Sequence, residues 1–210
     1  MTPRARLVAG LLSLGLAACG STAPASSPAP APEGWQYLSW SDPAFAVALP
    51  ADWVPDTLGT IDDDVVAAAS PEQQKAYRAS NELVRSGAIR LWAQGAVHTA
   101  DGSGPDATIL VIVQGGGDSL AAFGARMSHW WQDNFGGSNV TLTDAVLPYG
   151  PAIRADWESE RYQGIYRDYL VHLADGRNME IEIGAGMDPA TDGRVRGFAD
   201  TVVLTLKPGT

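Results

Sequence analysis

A chain of 210 residues with one cysteine, Cys19, forms no intramolecular disulfide. Whatever folds here is held by its core and not by staples. That places the demand on length. Residues 35 to 207 number 173, the size of one ordinary domain and enough to bury a core unaided.

The residues ahead of Cys19 constrain where the chain goes. Arg4 and Arg6 make the N-terminus positive, and Leu7 to Ala18 is an almost purely apolar run. It has signal-peptide length and is too short to span a bilayer permanently. The run ends in Leu16-Ala17-Ala18-Cys19, which resembles the bacterial lipobox, with Gly20-Ser21 behind it. That resemblance implies a signal peptide over residues 1–18, cleavage before Cys19, and a diacylglyceryl group on its thiol, with palmitate as the expected acyl chain. Each buried methylene contributes ~0.8 kcal/mol, so two chains hold where one is marginal. No other segment reaches the ~20 apolar residues of a membrane span. The expectation is a lipoprotein of the bacterial cell envelope, membrane-anchored on the extracytoplasmic side.

Gly20 to Gly34 reads GSTAPASSPAPAPEG, without a large apolar residue and with Pro24, Pro28, Pro30 and Pro32. Such a segment buries too little surface to order itself. Its Ala-Pro alternation favours an extended chain at ~3 Å per residue. Residues 19–34 therefore read as a lipidated cysteine and tether, and residues 35–210 as one globular domain.

The sequence carries 14 Lys+Arg against 24 Asp+Glu, and loss of Arg4 and Arg6 leaves 12 against the same 24. Nucleic acid is bound by neutralising phosphates with Lys and Arg, so this balance excludes it as a partner. It argues equally against electrostatic adhesion to anionic lipid.

Periodicity divides the domain. Phe45, Val47 and Leu49 alternate as in a half-buried strand that Pro50 ends. Residues Asp56 to Asp64 read as irregular. Ser70-Pro71-Glu72-Gln73 is an N-cap, a first-turn proline and a capping-box partner, which predicts a helix to about Ser86 with Gly87 as its stop. Its apolar side is Ala76, Tyr77, Leu83 and Val84. Ile89–Val97 and Ala107–Gln114 predict a strand pair, the second interior, joined by a loop over Thr99–Asp106. A second helix runs from a cap at Asp118 or Ser119 to Phe135, with Leu120, Phe123 and Met127 on its buried face. Strands follow at Val140–Leu147 and around Ile153, Ala155 and Trp157. A hairpin of Tyr166–Leu173 and Asn178–Ile183 closes on Asp175-Gly176. In it Met179, Ile181 and Ile183 point one way and Asn178, Glu180 and Glu182 the other. Asp188-Pro189 predicts the start of a third helix carrying Val195, Phe198 and Ala199, and Val202–Leu206 a closing strand.

The stretch SDPAFAVALPADW, Ser41 to Trp53, resembles the opening of PsbP-like domains, the group of PsbP, DcrB and LpqN-type proteins. The helix DSLAAFGARMSHWWQ and the later LPYGPAIRADWE are similar to further steps of these domains, and the order of elements fits from Trp35 to Leu206. The resemblance implies an α+β fold: a single antiparallel sheet flanked by helices, an α/β/α sandwich. It also implies a non-enzymatic role, as an assembly factor or partner-binding module, with no catalytic motif to carry over.

The residues themselves offer little chemistry. His98, His129 and His172 are scattered, with no H-E-x-x-H, and no G-x-S-x-G is present. Gly115-Gly116-Gly117-Asp118-Ser119 lacks the lysine and spacing of a phosphate cradle, and Asp118 repels one. Asp62-Asp63-Asp64 lacks the alternation of a calcium loop and reads as solvated. No metal or cofactor is expected. The seven tryptophans are more informative. Most serve packing, but Trp130 and Trp131 are adjacent on a helix, 100° apart, so only one is centred in its buried stripe. Trp92 follows Leu91 on a strand and faces away from it. Trp92, Trp130 and Trp131 are therefore the candidate binding surface. The expected function is a tethered, non-enzymatic module that binds an envelope protein. The alternative is a ligand-binding protein presenting an aromatic groove to cell-wall glycan or a small apolar molecule.

Overall fold

The computed structural model describes residues 27–99, 102–188 and 190–208. Cys19, the apolar run before it and the first part of the tether lie outside the described residues. Two strands, β1 (Trp35–Ser41) and β2 (Ala44–Pro50), pair as a hairpin, followed by a two-residue β3 (Val54–Pro55). Two helices, α1 (Asp63–Ala68) and α2 (Pro71–Arg85), lead to the long hairpin β4 (Ile89–Thr99) and β5 (Gly102–Gln114). Helix α3 (Leu120–Phe135) precedes the meander β6 (Gly137–Leu147), β7 (Gly150–Ser159), β8 (Gly164–His172) and β9 (Asn178–Gly186). Helix α4 (Asp192–Leu204) and β10 (Lys207–Pro208) close the described chain.

The fold is α+β and antiparallel throughout, with helices on both faces of a seven-stranded sheet of order β3-β4-β5-β9-β8-β7-β6. One face carries α4 and a second, three-stranded sheet of order β1-β2-β10, which the expectation of a single sheet did not include. The core there joins Phe45, Val47, Leu49 and Trp53 to Val111, Ile181, Ile183, Phe198 and Val202. The other face carries α3, whose Phe123, Met127 and Trp131 pack on Ile153, Ala155, Trp157 and Leu170.

Local signals set the helix ends. Ser70 and Gln73 close a reciprocal capping box on α2. Ser119 caps α3 through the Ala122 N–H at 3.2 Å, and Gly136 ends it at φ 66°, where a side chain would be strained. The β8–β9 turn forms at Asp175-Gly176, with the Leu173 N–H donating to the Arg177 carbonyl at 2.8 Å.

Some boundaries differ from expectation. The Thr99–Asp106 loop is mostly strand: a bulge between Ala96 and His98 resets the register, and Thr99 pairs with Gly102. Asp63–Ala68 is a short helix rather than an irregular end. Val202 and Val203 belong to α4, not to a closing strand. They continue the three- and four-residue spacing of Val195, Phe198 and Ala199, so the same buried stripe carries them. The helix itself begins at Asp192, after a turn in which the Asp188 carbonyl accepts from the Thr191 N–H at 2.9 Å.

The tether also enters the fold earlier than Trp35. The Ala29 N–H donates to the Leu204 carbonyl at 2.7 Å, a group in the last turn of α4 with no intrahelical partner. A chain that begins at Gly34 should still fold cooperatively and melt independently of reductant. It should be less stable by about 1–3 kcal/mol, the worth of two such bonds, since the Pro32 carbonyl that accepts from the Trp35 N–H is lost as well. Denaturant melts of the two lengths check this.

Candidate functional site

On β9, Asn178, Glu180 and Glu182 alternate with Met179, Ile181 and Ile183, and the apolar set enters the α4-side core. The polar set does not meet water. Glu180 and Asn178 have no exposed surface, and Glu182 is half-buried. Register brings a third acid beside them, because Asp168 on β8 faces Glu182 directly while Leu170 faces Glu180. Asp168 is also fully buried. Three carboxylates thus lie together on the α3-side face, each offering one oxygen within 4.8 Å of the others. Like charges placed opposite on a sheet repel, and burial raises the cost of each.

Two indoles moderate that cost. Trp131 Nε1 donates to Glu180 Oε1 at 3.1 Å, and Trp157 Nε1 donates to Asp168 Oδ2 at 2.6 Å. The two rings stack at 5.5 Å, and Tyr166 stacks on Trp157 at 4.0 Å. Asp168 Oδ1 and Glu180 Oε2 are left with no partner. Among the described residues no ion pair reaches any of the three acids. The neighbouring Arg126, whose charge acts on Glu180, is held by Asp118 at 3.1 Å and by Gln114. Burial, then the charge of Glu182, pushes Glu180 up to about 8. Burial pushes Glu182 up to about 7. Burial and the charges of Glu182 and Glu180 raise Asp168 well above the usual carboxylate range.

Of the three acids, Glu182 borders a cavity of about 140 Å³, lined also by Ser80, Leu110, Trp130, Trp157 and Tyr166 among others. Beyond Tyr166 a wider groove of about 450 Å³ opens, with Gln94, Asp106, Thr108 and Gln163 at its walls. Tyr166 is the partition between the two. It lies flat against Gly164 and Gly184, where an added Cβ would come 2.5 Å from its hydroxyl and 2.6 Å from its ring respectively. Any side chain at either glycine displaces the tyrosine.

The opposite face handles charge differently. There Arg167 forks onto Asp156 at 2.7 Å and reaches Asp200 at 2.7 Å, and Arg196 joins Asp156 at 2.6 Å. Burial alone would raise Asp156, but the hydrogen bonds and charges of Arg167 and Arg196 outweigh it and hold the carboxyl below its ordinary range.

The candidate tryptophans all gather on the acid face, though not as a surface. Trp131 is fully buried and so offers no anchor to a partner. Trp130 is half-buried, packs on Phe135 at 4.9 Å and lines the cavity; the pair separates as the helical period requires. Trp92 pairs with Leu110, which itself pairs with Glu182, so it lies in the same cross-strand row as the acids. Asp63 meets Arg85 at 3.7 Å on the surface, and His129 and His172 are exposed. Asp168, Glu180 and Glu182 escaped sequence reasoning because the strand alternation divided β9 into two faces without saying what covers the polar one. The signal lay in the turn: a three-residue loop over 174–176, with Leu173 opposite Arg177, sets Asp168 against Glu182, whereas a two-residue turn at Asp175-Gly176 would set Asp168 against Ile183.

No protein-family model and no curated protein sequence matches the chain. Among solved structures it is similar to the solution structure of cyanobacterial PsbP (CyanoP) from Synechocystis sp. PCC 6803. The TM-score is 0.51 at 11% identity, over 92% of this chain and 98% of that one. The fold is PsbP-like, as the residues from Ser41 to Trp53 implied, and the likeness at this identity is one of fold.

Two predictions follow from the site. Trp131→Ala should cost ~3–5 kcal/mol, as for a large aromatic in a packed core, and Trp130→Ala clearly less; urea melts compare them. The second concerns pH. Carboxyls raised in the folded state bind protons that the unfolded chain has released, so their contribution falls as pH rises from the ordinary 4.5 toward about 8. Unfolding free energy should decline over that interval, and Glu180→Gln should flatten the decline. A wild-type chain that gains stability from pH 5 to 8 contradicts the assignment.

Proposed function

We propose that the chain is a lipid-tethered accessory module of the bacterial cell envelope, related to PsbP-, DcrB- and LpqN-type proteins, that binds an envelope protein and performs no chemistry of its own. The observation that carries this reading is the order of parts. An apolar run ends at the sole cysteine, a Pro/Ala segment follows, and then comes a PsbP-like domain. Such a chain presents a folded surface a short distance from a membrane. No helix among the described residues is long and apolar enough to cross one, which fits anchoring through Cys19. Trp130 remains the aromatic candidate for the contact. It borders a second groove, of about 370 Å³ between α2 and α3, together with Leu83, Arg90 and Arg126.

The alternative, a ligand-binding module, has the 450 Å³ groove in its favour. Its floor is glycine and Tyr166 rather than tryptophan, with amide and hydroxyl groups at the rim suited to a small polar ligand such as a glycan fragment.

Metabolic labelling with an alkyne fatty acid tests the tether. Wild type should label and fractionate with membranes, and Cys19→Ser should do neither. Equal labelling of both overturns the lipoprotein reading. Crosslinking in intact envelopes, with the lipidated chain as bait, tests the partner: a defined adduct should form and should weaken in Trp130→Ala.

A further inference from the structure

The acid cluster is not a solvated patch. Asp168 and Glu180 have no exposed surface, yet each keeps one carboxylate oxygen without a partner. The indoles of Trp131 and Trp157 occupy Glu180 Oε1 and Asp168 Oδ2, which fixes both carboxyl planes and leaves Glu180 Oε2 and Asp168 Oδ1 free. Beside them Glu182 borders a cavity with room for a few water molecules, at ~30 Å³ each. Two buried, oriented, unsatisfied oxygens next to a third carboxylate and a small cavity are a set of ligand atoms lacking a centre.

We propose that Asp168, Glu180 and Glu182 bind a divalent cation, and that the cation is Ca²⁺. The donor set decides the class. It holds carboxylate oxygens alone, without the thiolate or imidazole that favours zinc or copper. Hydration decides within the class. Mg²⁺ dehydrates reluctantly and keeps several of its waters, whereas Ca²⁺ takes more protein oxygens in a looser geometry. Two carboxylates with no exposed surface, beside a cavity of about 140 Å³, suit the ion that gives up its water more readily. Ca²⁺ takes 6–8 oxygens. Asp168 Oδ1, Glu180 Oε2 and the Glu182 carboxylate supply part of that shell, and cavity water the rest, with Ser80 on the cavity wall. The two indole N–H groups are the outer partners that orient the ligands, as such groups do in metal sites generally. Access runs from the outer groove past Tyr166, with Asp106 at its mouth. The site stands whether or not Cys19 is lipidated.

Tb³⁺ serves as a luminescent stand-in for Ca²⁺, because Trp131 and Trp157 touch the ligands and sensitise its emission. The purified full-length chain, stripped with chelator, should show tryptophan-excited Tb³⁺ emission that Ca²⁺ displaces and Mg²⁺ displaces poorly. Ca²⁺ should also raise its melting temperature in a saturable way. Glu182→Gln removes a like charge from a buried cluster, so it should remain folded and melt no lower than wild type without metal. It should weaken Tb³⁺ and Ca²⁺ binding by more than about tenfold, since loss of an outer partner alone costs 10–100-fold. Asp168→Asn should do the same. Replacing surface Asp62, Asp63 and Asp64 together by Asn should leave binding unchanged. Absence of any Ca²⁺ response overturns the proposal, and so does an equal response in wild type, Glu182→Gln and Asp168→Asn. Loss of the response in the surface variant overturns it too, by assigning binding to the exposed acids.

Discussion

The pairing of β8 with β9 is the constraint on which the rest of the structure depends. It stacks two unlike faces on one hairpin. One face sets Tyr169 against Ile181 and Val171 against Met179, and joins the core under α4. The other sets Asp168 against Glu182 and Leu170 against Glu180. Because the strand period is two, a slip of one residue would exchange the faces and drive the acids into the larger core. The three-residue loop over 174–176, closed by Leu173 opposite Arg177, prevents this. Gly176 sits at φ 86°, and Asp175 Oδ1 accepts from the Arg177 N–H at 3.0 Å, so local chemistry fixes the register.

With that register given, α3 has a specific task. A face holding three carboxylates is not covered by apolar side chains alone without leaving every oxygen unsatisfied. The helix brings Trp131, and β7 brings Trp157, each with a large apolar ring and one N–H. Their stacking places both donors over the acids while the rings close the core around Phe123 and Met127. The adjacent Trp130–Trp131 pair follows from the same need: one indole is committed inward and the other falls toward the α2 side.

Local chemistry was legible in the sequence where a single residue type performs one job. The capping box at Ser70 and Gln73, the glycine ends of α2 and α3, the Asp175-Gly176 turn and the 3.6-residue stripe of α3 all stand where the residues placed them. The PsbP-like order of elements was legible from Ser41-Asp42-Pro43 onward. The site was not. Alternation on β9 correctly divided the strand into two faces, but it does not say whether the polar face is covered. A buried acid is written with the same letter as a solvated one. What separates them is the partner across the sheet and the helix above it, and both lie far away in sequence. Val202 and Val203 misled for a related reason: a short apolar run is read as strand or helix only when its tertiary partner is known.

The placement of positive charge completes the argument. The residues after Cys19 hold twelve basic side chains, all but Lys75 and Lys207 arginine, against twenty-four acids. Arginine suits fixed, forked contacts. Arg167 and Arg196 are used that way under α4, binding Asp156, Asp192 and Asp200. Arg177 is held at the hairpin turn by Asp175 and Asp42. Lys75 donates to the Asp133 carbonyl, and Lys207 lies 3.6 Å over the Tyr37 ring. Arg126, whose charge acts on Glu180, has its guanidinium turned to Asp118 and Gln114. The fold thus neutralises one face of its central sheet with its own cations and leaves the other to indole dipoles. An N–H dipole satisfies one oxygen but supplies no net charge. Where three carboxyls share a dry face, charge balance then comes either from protons held on the acids or from an ion admitted past Tyr166. The first costs ligand oxygens and the second uses them, and the two unpartnered oxygens are those a cation would take up.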